Sequence, residues 1–177
     1  MAGIGRDGRG GQLNDTSCLR AFVPSCLLPT VIAVVQRVRE ALVSVEAEGY
    51  SAGIGPGLCV LLAVEKGDGQ TEADWMARKL AKLRVFPDEH RNMNRCVLET
   101  GGEVLLVSQF TLAGDCTKGN RPSFDAAAAP EKGRSLYERV AHQLRTEHDL
   151  KVQGGVFGAM MQLSLTNDGP VTLIVRK

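Results

Sequence analysis

Four apolar, strand-like runs follow one another between residues 31 and 64 with almost nothing between them, and this limits the fold more than any other feature. Residues 31–38 (VIAVVQRV) are dominated by β-branched side chains, which fit a pleated strand. In 42–47 (LVSVEA), Val43, Val45 and Ala47 share one face and Ser44 and Glu46 the other, the period of a half-buried strand. Glu48-Gly49 marks a turn into 50–54. Gly55-Pro56-Gly57 then breaks the chain, and 58–64 (LCVLLAV) is apolar throughout, as a central strand is. Strands joined this tightly predict an antiparallel meander.

Two amphipathic segments follow. The first predicts a helix over 71–84, capped by Thr71, with Glu72 and Asp74 in the first turn. Ala73, Met76, Leu80 and Leu83 form its apolar stripe, and Pro87 ends it. Residues 88–94 are a polar loop and Gly101-Gly102 a turn. The second helix is expected over 131–147, burying Leu136, Val140 and Leu144 with Tyr137 beside them. Residues 161–166 alternate apolar and polar, and 171–175 is the last strand. The helices do not alternate regularly with strands. The predicted class is α+β, with two main helices on antiparallel β-sheets.

A chain of 177 residues fits one domain, placed at 31–177. Residues 1–30 differ, with five glycines before Gln12, and Pro24 and Pro29. Residues 21–28 look like a weak signal-peptide core, but the prolines interrupt it and no small-x-small cleavage site follows. The reading is a disordered extension or a mis-called start. The formal charge of +1 gives no global pull toward nucleic acid, so a polyanionic partner requires a local basic patch. Five scattered cysteines argue against a zinc site and a disulfide scaffold, and fit free thiols in a reducing cytoplasm. No metal or cofactor is expected. No apolar run approaches ~20 residues, so no membrane-spanning helix is expected.

Chemistry concentrates in 108–124 (SQFTLAGDCTKGNRPSF), where a buried strand, 104–107, turns polar. Backbone N–H groups at such a strand end can polarise a carbonyl and hold an oxyanion, and Ser108 and Gln109 can orient a substrate. Thr111 is a candidate nucleophile, but no histidine, lysine or carboxylate stands beside it in the motif to activate it. An ordinary strand-plus-turn remains the alternative. His90, His142 and His148 read as exposed loop and helix residues. Lys118, Asn120 and Arg121 lie in a Gly-flanked loop suited to phosphate contact, or equally a solvated basic loop; the Walker A order is absent. Near the C-terminus, Asn167, Asp168, Gly169 and Pro170 form a second polar turn, whose default reading is a trans-proline hairpin. The two polar turns are expected to form one site, across two subunits.

From residue 31 onward the chain resembles the D-aminoacyl-tRNA deacylases, also called D-tyrosyl-tRNA deacylases. The matching stretches are AVVQRV (33–38), IGPGL (54–58), KLAKLRVF (79–86), MN (93–94), SQFTL (108–112), KGNRPSFDAA (118–127), LYERV (136–140), FGAMMQ (157–162) and NDGPVT (167–172). Residues 1–30 have no counterpart in the family, and 89–92 depart from its usual glycine-lysine. The resemblance implies a barrel-like fold and hydrolysis of the ester joining a D-amino acid, or glycine, to the 3′ end of tRNA, as translation quality control in the cytoplasm. It implies a homodimer whose residues 108–111 face the partner's 167–172 turn. Backbone amides around Gln109 and Phe110 would bind the substrate carbonyl, with Ser108 and Thr111 completing the catalytic segment. Thr111 matches a threonine proposed as nucleophile, and the alternative has the terminal ribose hydroxyl assisting. Gly169 and Pro170, cis in the family, with Asn167 and Asp168, would reject L-amino acids, and Lys118 and Arg121 would contact tRNA. No DNA or membrane partner is implied. The readings that compete with this are an RNA-binding dimer without turnover and a general esterase acting through Thr111.

Overall fold

β1 (Ile32–Val45) is the strand on which the sheet is assembled. The structure, a computed structural model, describes residues 30–177. The expected extension at 1–30 lies outside the described residues, Thr30 excepted. Where the sequence predicts two strands separated at Arg39-Glu40, there is one strand of 14 residues. Arg39 and Glu40 are both exposed where the ladder to the last strand loses register between Val38 and Glu40. A bulge takes up an extra residue and turns the following side chains over. Ala33 and Val35 therefore face one core, and Ala41 and Val43 the other.

The first half of β1 pairs antiparallel with β3 (Gly57–Ala63) and the second half with β2 (Tyr50–Ile54). Its other edge pairs antiparallel with β6 (Gln162–Arg176). The antiparallel pairing is as expected, but the successive meander is not: β2 and β3 each pair with β1 and not with each other, because the first two expected strands are one long strand. Beyond β3 the pairing changes. β4 (Glu103–Ser108) is parallel to β3, and β5 (Val152–Gly154) is parallel to β4. Parallel neighbours need a crossover. The first crossover holds α1 (Gln70–Lys82) and the one-turn α2 (Val97–Thr100); the second holds α3 (Pro130–Thr146). The α+β class holds, and the helical crossovers make two of the pairings parallel. The Tyr50 hydroxyl on β2 donates to the Gly154 carbonyl of β5 at 2.7 Å, drawing the outer strands toward a barrel. β3 and β4 approach so closely that a Cβ on Gly57 would run into the Glu103 carbonyl.

Two cores lie on the two faces of this sheet. Leu58, Val60, Leu62, Val104 and Leu106 pack on the helical side, against Met76 and Leu80 of α1 and Val140 and Leu144 of α3. Cys59, Leu105 and Val107 face the inner side with Val43, and Met161, Leu163 and Leu165 pack against them. The unbroken apolar run 58–64 is explained by this double burial: successive residues serve opposite cores. Burying each such leucine stabilises the fold by about 2 kcal/mol.

Gly69, not Thr71, caps α1. The Glu72 carboxylate accepts the Gly69 N–H at 2.9 Å, and Lys177 donates to it at 2.9 Å, which holds its pKa below the ordinary value. Thr71 lies two residues further along, already inside the helix, and stays exposed. Asp74 clamps α1 to α3, accepting from Arg139 Nε at 2.5 Å and Gln143 Nε2 at 2.8 Å. The C-terminal turn differs most from expectation. No hairpin forms: β6 runs through residues 162–176 as one strand, and the Gly169–Pro170 bond within it is cis.

Candidate active site

The ladder between β3 and β4 ends at the Leu62–Ser108 pair. The Gln109 N–H still reaches back to the Leu62 carbonyl at 2.8 Å, and the chain then closes into a 3-10 turn (Phe110–Ala113). The Gln109 amide is therefore committed to the sheet and is not a donor for substrate. The N–H groups of Phe110 and Thr111 have no partner among the described residues, because the first backbone bonds of the turn come from Leu112 onward. The donor pair moves one residue along from the expected one.

Gln109 Nε2 donates to Thr111 Oγ1 at 2.5 Å, the hydroxyl's one hydrogen bond among the described residues. A carboxamide cannot accept a proton at neutral pH, so this contact orients the hydroxyl without activating it. Phe110 is 58% exposed and meets Phe124 edge to face, ring centroids 5.3 Å apart. Ser108 and Gln109 are half-buried beside them.

The basic loop grows from the same place. Asp115 and Ser123 exchange backbone hydrogen bonds of 2.7 and 2.9 Å at its neck. The Asp115 carboxylate accepts the Thr117 N–H at 2.9 Å, which keeps its pKa below the usual range. Lys118, Asn120 and Arg121 stand exposed at the tip, and neither cation enters an ion pair among the described residues. The return limb is tied to the end of β3 by Lys66 N–H to the Ala126 carbonyl (2.9 Å) and Ala128 N–H to the Val64 carbonyl (3.0 Å). Residues 108–111 and the loop bearing Lys118 and Arg121 thus form one continuous shelf.

Asn167, Asp168, Gly169 and Pro170 lie elsewhere. β1 pairs Gln36 with Thr172 and Val38 with Asn167, so one residue of β1, Arg37, opposes four of β6. The extra chain arches outward, and Gly169 and Pro170 are exposed at its crest. Asn167 closes the arch: its Oδ1 accepts the Val171 N–H at 2.9 Å and its Nδ2 donates to Thr172 Oγ1 at 3.0 Å. Arg37 fills the space beneath. It is 9% exposed, with Nε 3.1 Å from the Asp168 carbonyl and 3.0 Å from its carboxylate, and Nη1 2.5 Å from the Val85 carbonyl. Arg39 reaches the same carboxylate at 3.3 Å. Asn167 and Asp168 are thereby engaged within the chain, building the turn. The sequence reading missed Arg37, whose signal was present: it continues the inward period Val31, Ala33, Val35 with a charge.

The shelf and the arch do not meet within one chain. Ser108 pairs with Leu62, Leu62 with Ala33, and the arch faces Gln36–Val38 across the other edge of β1. Three strand spacings across and about four residues along the strand separate them by on the order of 20 Å. Open clefts elsewhere on the described surface include two of note. One, of about 500 Å³, is lined by Leu42, Gly53 and Leu165; the other, of about 400 Å³, by Tyr50, Arg134 and Phe157. Neither includes the shelf or the arch. Of the histidines, His148 departs from expectation: it is half-buried just beyond α3, with Nε2 unpartnered among the described residues.

The family described as D-Tyr-tRNA(Tyr) deacylase matches residues 34–176. The chain is 54% identical over 144 residues to a D-aminoacyl-tRNA deacylase of Prosthecochloris aestuarii, covering 81% of this chain and 97% of that one. It is 52% identical over 146 residues to a D-aminoacyl-tRNA deacylase of Paracidovorax citrulli, covering 82% and 93%. Among solved structures it is similar to a c-Myc DNA unwinding element binding protein, with TM-score 0.74, 42% identity, and 81% and 97% of the two chains covered. It also matches a probable eukaryotic D-amino acid tRNA deacylase, with TM-score 0.75 over 84% and 100% of the chains. That last pair is 19% identical and carries the fold alone.

Proposed function

Since the chain belongs to the D-Tyr-tRNA(Tyr) deacylase family and is a D-aminoacyl-tRNA deacylase, an ester hydrolase, we propose that it works by backbone oxyanion stabilisation with no protein side chain as base. The observation that carries this is the Gln109–Thr111 contact: Thr111, the nucleophile candidate of the motif, is paired with an amide donor. The free N–H groups of Phe110 and Thr111 are the donors for the ester carbonyl. Water, oriented by the substrate's own ribose hydroxyl, adds to the carbonyl carbon. The tetrahedral oxyanion rests on the two amides, and the bond to the ribose oxygen breaks. The proton lost by the water leaves with that oxygen, giving free D-amino acid and tRNA. An aminoacyl ester is already activated, so positioning and oxyanion stabilisation supply the rate.

Chirality is set by the arch. Gly169 and Pro170 of a partner subunit, held up by Arg37, occupy the space an L side chain would need. Glycyl-tRNA passes because it has no side chain to exclude. The distance between shelf and arch within one chain supports a homodimer with two composite sites. Lys118 and Arg121 at the shelf rim take phosphates near the 3′ end. The protein acts in the cytoplasm, as proofreading after aminoacylation. The test is hydrolysis of D-tyrosyl-tRNA and L-tyrosyl-tRNA side by side. Loss of the D-ester alone is expected. Equal loss of both would remove the chiral gate, and binding without loss of either would leave an RNA-binding dimer.

A further inference from the structure

The outer face of α1 and the segment after it carry exposed cations that enter no ion pair among the described residues. Arg78 and Lys82 stand one turn apart on the face opposite Met76 and Leu80, both exposed. Lys79 lies beside them with Nζ 6.0 Å from the Trp75 ring. Arg84 follows directly, and Phe86 pairs with Arg95 across a short loop that also exposes Arg91. None of these six enters an ion pair among the described residues.

The nearby carboxylates are hydrogen-bonded within the chain and make no ion pair with these cations, though Arg78 lies near Asp74, and Arg84 and Arg95 near Glu99. Glu72 faces Lys177, and Asp74 is held by Arg139 and Gln143. Asp88 accepts the N–H groups of His90 and Arg91 at 2.9 and 2.8 Å, closing its own loop. Glu99, near Arg84 and Arg95, accepts the Cys96 N–H at 2.6 Å. Glu89 is exposed and has no hydrogen-bond or ion-pair partner among the described residues. Favourable interaction with the helix dipole accounts for Lys79 and Lys82 in the last turn, but not for Arg84, Arg91 and Arg95 beyond it. Against Asp88, Glu89 and Glu99, these six cations leave residues 78–99 with a formal charge of +3, in a chain whose formal net charge is +1.

That surface leads to the arch. The Val85 carbonyl, next to Arg84, accepts Arg37 Nη1, and Arg37 holds Asp168 beside Gly169. We propose that the stripe Arg78, Lys79, Lys82, Arg84, Arg91 and Arg95 binds the phosphate backbone of the tRNA acceptor stem. This rests on the deacylase reading and extends it from the reacting ester to the body of the substrate. A double-stranded RNA stem offers phosphates and 2′-hydroxyls rather than base edges, so a row of mobile cations suits it without reading sequence. The arrangement gives one substrate two contacts: the ester on one subunit's shelf, and the stem along the stripe next to the partner arch that closes over it.

The experiment is binding of deacylated tRNA to the full chain and to the triple variant Arg78→Glu, Lys82→Glu, Arg84→Glu, at several salt concentrations. The variant is expected to bind at least tenfold more weakly. Its log–log salt slope should be shallower by roughly two to three, the count of lost phosphate contacts. The charge-keeping pair Arg78→Lys, Arg84→Lys is expected to bind like the parent, which separates charge from folding. Parent-like affinity and slope in the triple variant would overturn the stripe, as would equal weakening by the charge-keeping pair. A DNA duplex competing as well as tRNA would overturn the assignment to RNA. Failure of the deacylase reading has a different signature: parent protein that binds tRNA through the stripe but never releases D-tyrosine from D-tyrosyl-tRNA.

Discussion

Gly169 is the residue whose surroundings leave least room. Its φ of +126° is a conformation that L side chains rarely adopt, and an added Cβ would sit 2.7 Å from Arg37 Nη2 and 2.9 Å from Val171 Cγ2. Gly169→Ala is expected to cost about 1–3 kcal/mol of stability, read by urea denaturation, and to cut D-ester turnover at least tenfold. Normal turnover would separate the arch from the chemistry. Thr111→Ala, in contrast, is expected to keep kcat within about tenfold, because its hydroxyl is oriented and not activated. A loss of a thousandfold would restore the nucleophile reading. These two residues were legible in the sequence as members of motifs. That the Gln109 N–H is used by Leu62 was not, because it depends on a strand 47 positions away in the chain.

Charged side chains fix two parts of the fold, the arch and the α1–α3 pair. The arch of β6 depends on Arg37 of β1, which satisfies two backbone carbonyls and one carboxylate from a nearly buried position. Arg37→Met leaves the Asp168 and Val85 carbonyls without a donor and the Asp168 carboxylate with Arg39 alone, and is expected to destabilise by about 2–3 kcal/mol, measured by chemical denaturation. The α1–α3 clamp has a pH signature. The folded-state pKa of Asp74 is lowered, chiefly by its hydrogen bond from Arg139. Its contribution is therefore present above the unfolded value near 3.8 and lost as the pH falls below it. Asp68 works in the opposite sense: burial raises its pKa, so protonation favours the folded chain and its ionisation weakens stability as the pH rises above 3.8. Asp74→Asn is expected to flatten the acid limb of a stability–pH profile. An unchanged limb would show that the clamp contributes nothing.

At the scale of the whole molecule, shelf and arch stand on the order of 20 Å apart within one chain, and the proposed composite site requires a second copy. In that proposal the shelf supplies the donors and the partner's arch the gate. A mixture of two defective variants tests this. Phe110→Pro removes one shelf N–H at a turn position that tolerates proline, and Gly169→Ala spoils the arch. In mixed dimers one of the two sites regains both intact halves, so activity should return to roughly a quarter of the parent level. Mixed subunits that stay inactive would argue for sites contained within one chain. The sequence by itself determined what local chemistry controls: the strand runs, both helices, the apolar residues of the two cores, and the motifs of shelf and arch. Each of these rests on residues within a few positions of one another. Only the tertiary structure decided that β1 is one bulged strand, that β3, β4 and β5 are parallel, that residues 162–176 pass through Gly169–Pro170 without reversing, and that Arg37 sits beneath it. Those outcomes depend on register between strands far apart in the chain, where a slip of one residue exchanges the core face for the solvent face, and no local pattern records which pairing satisfies both.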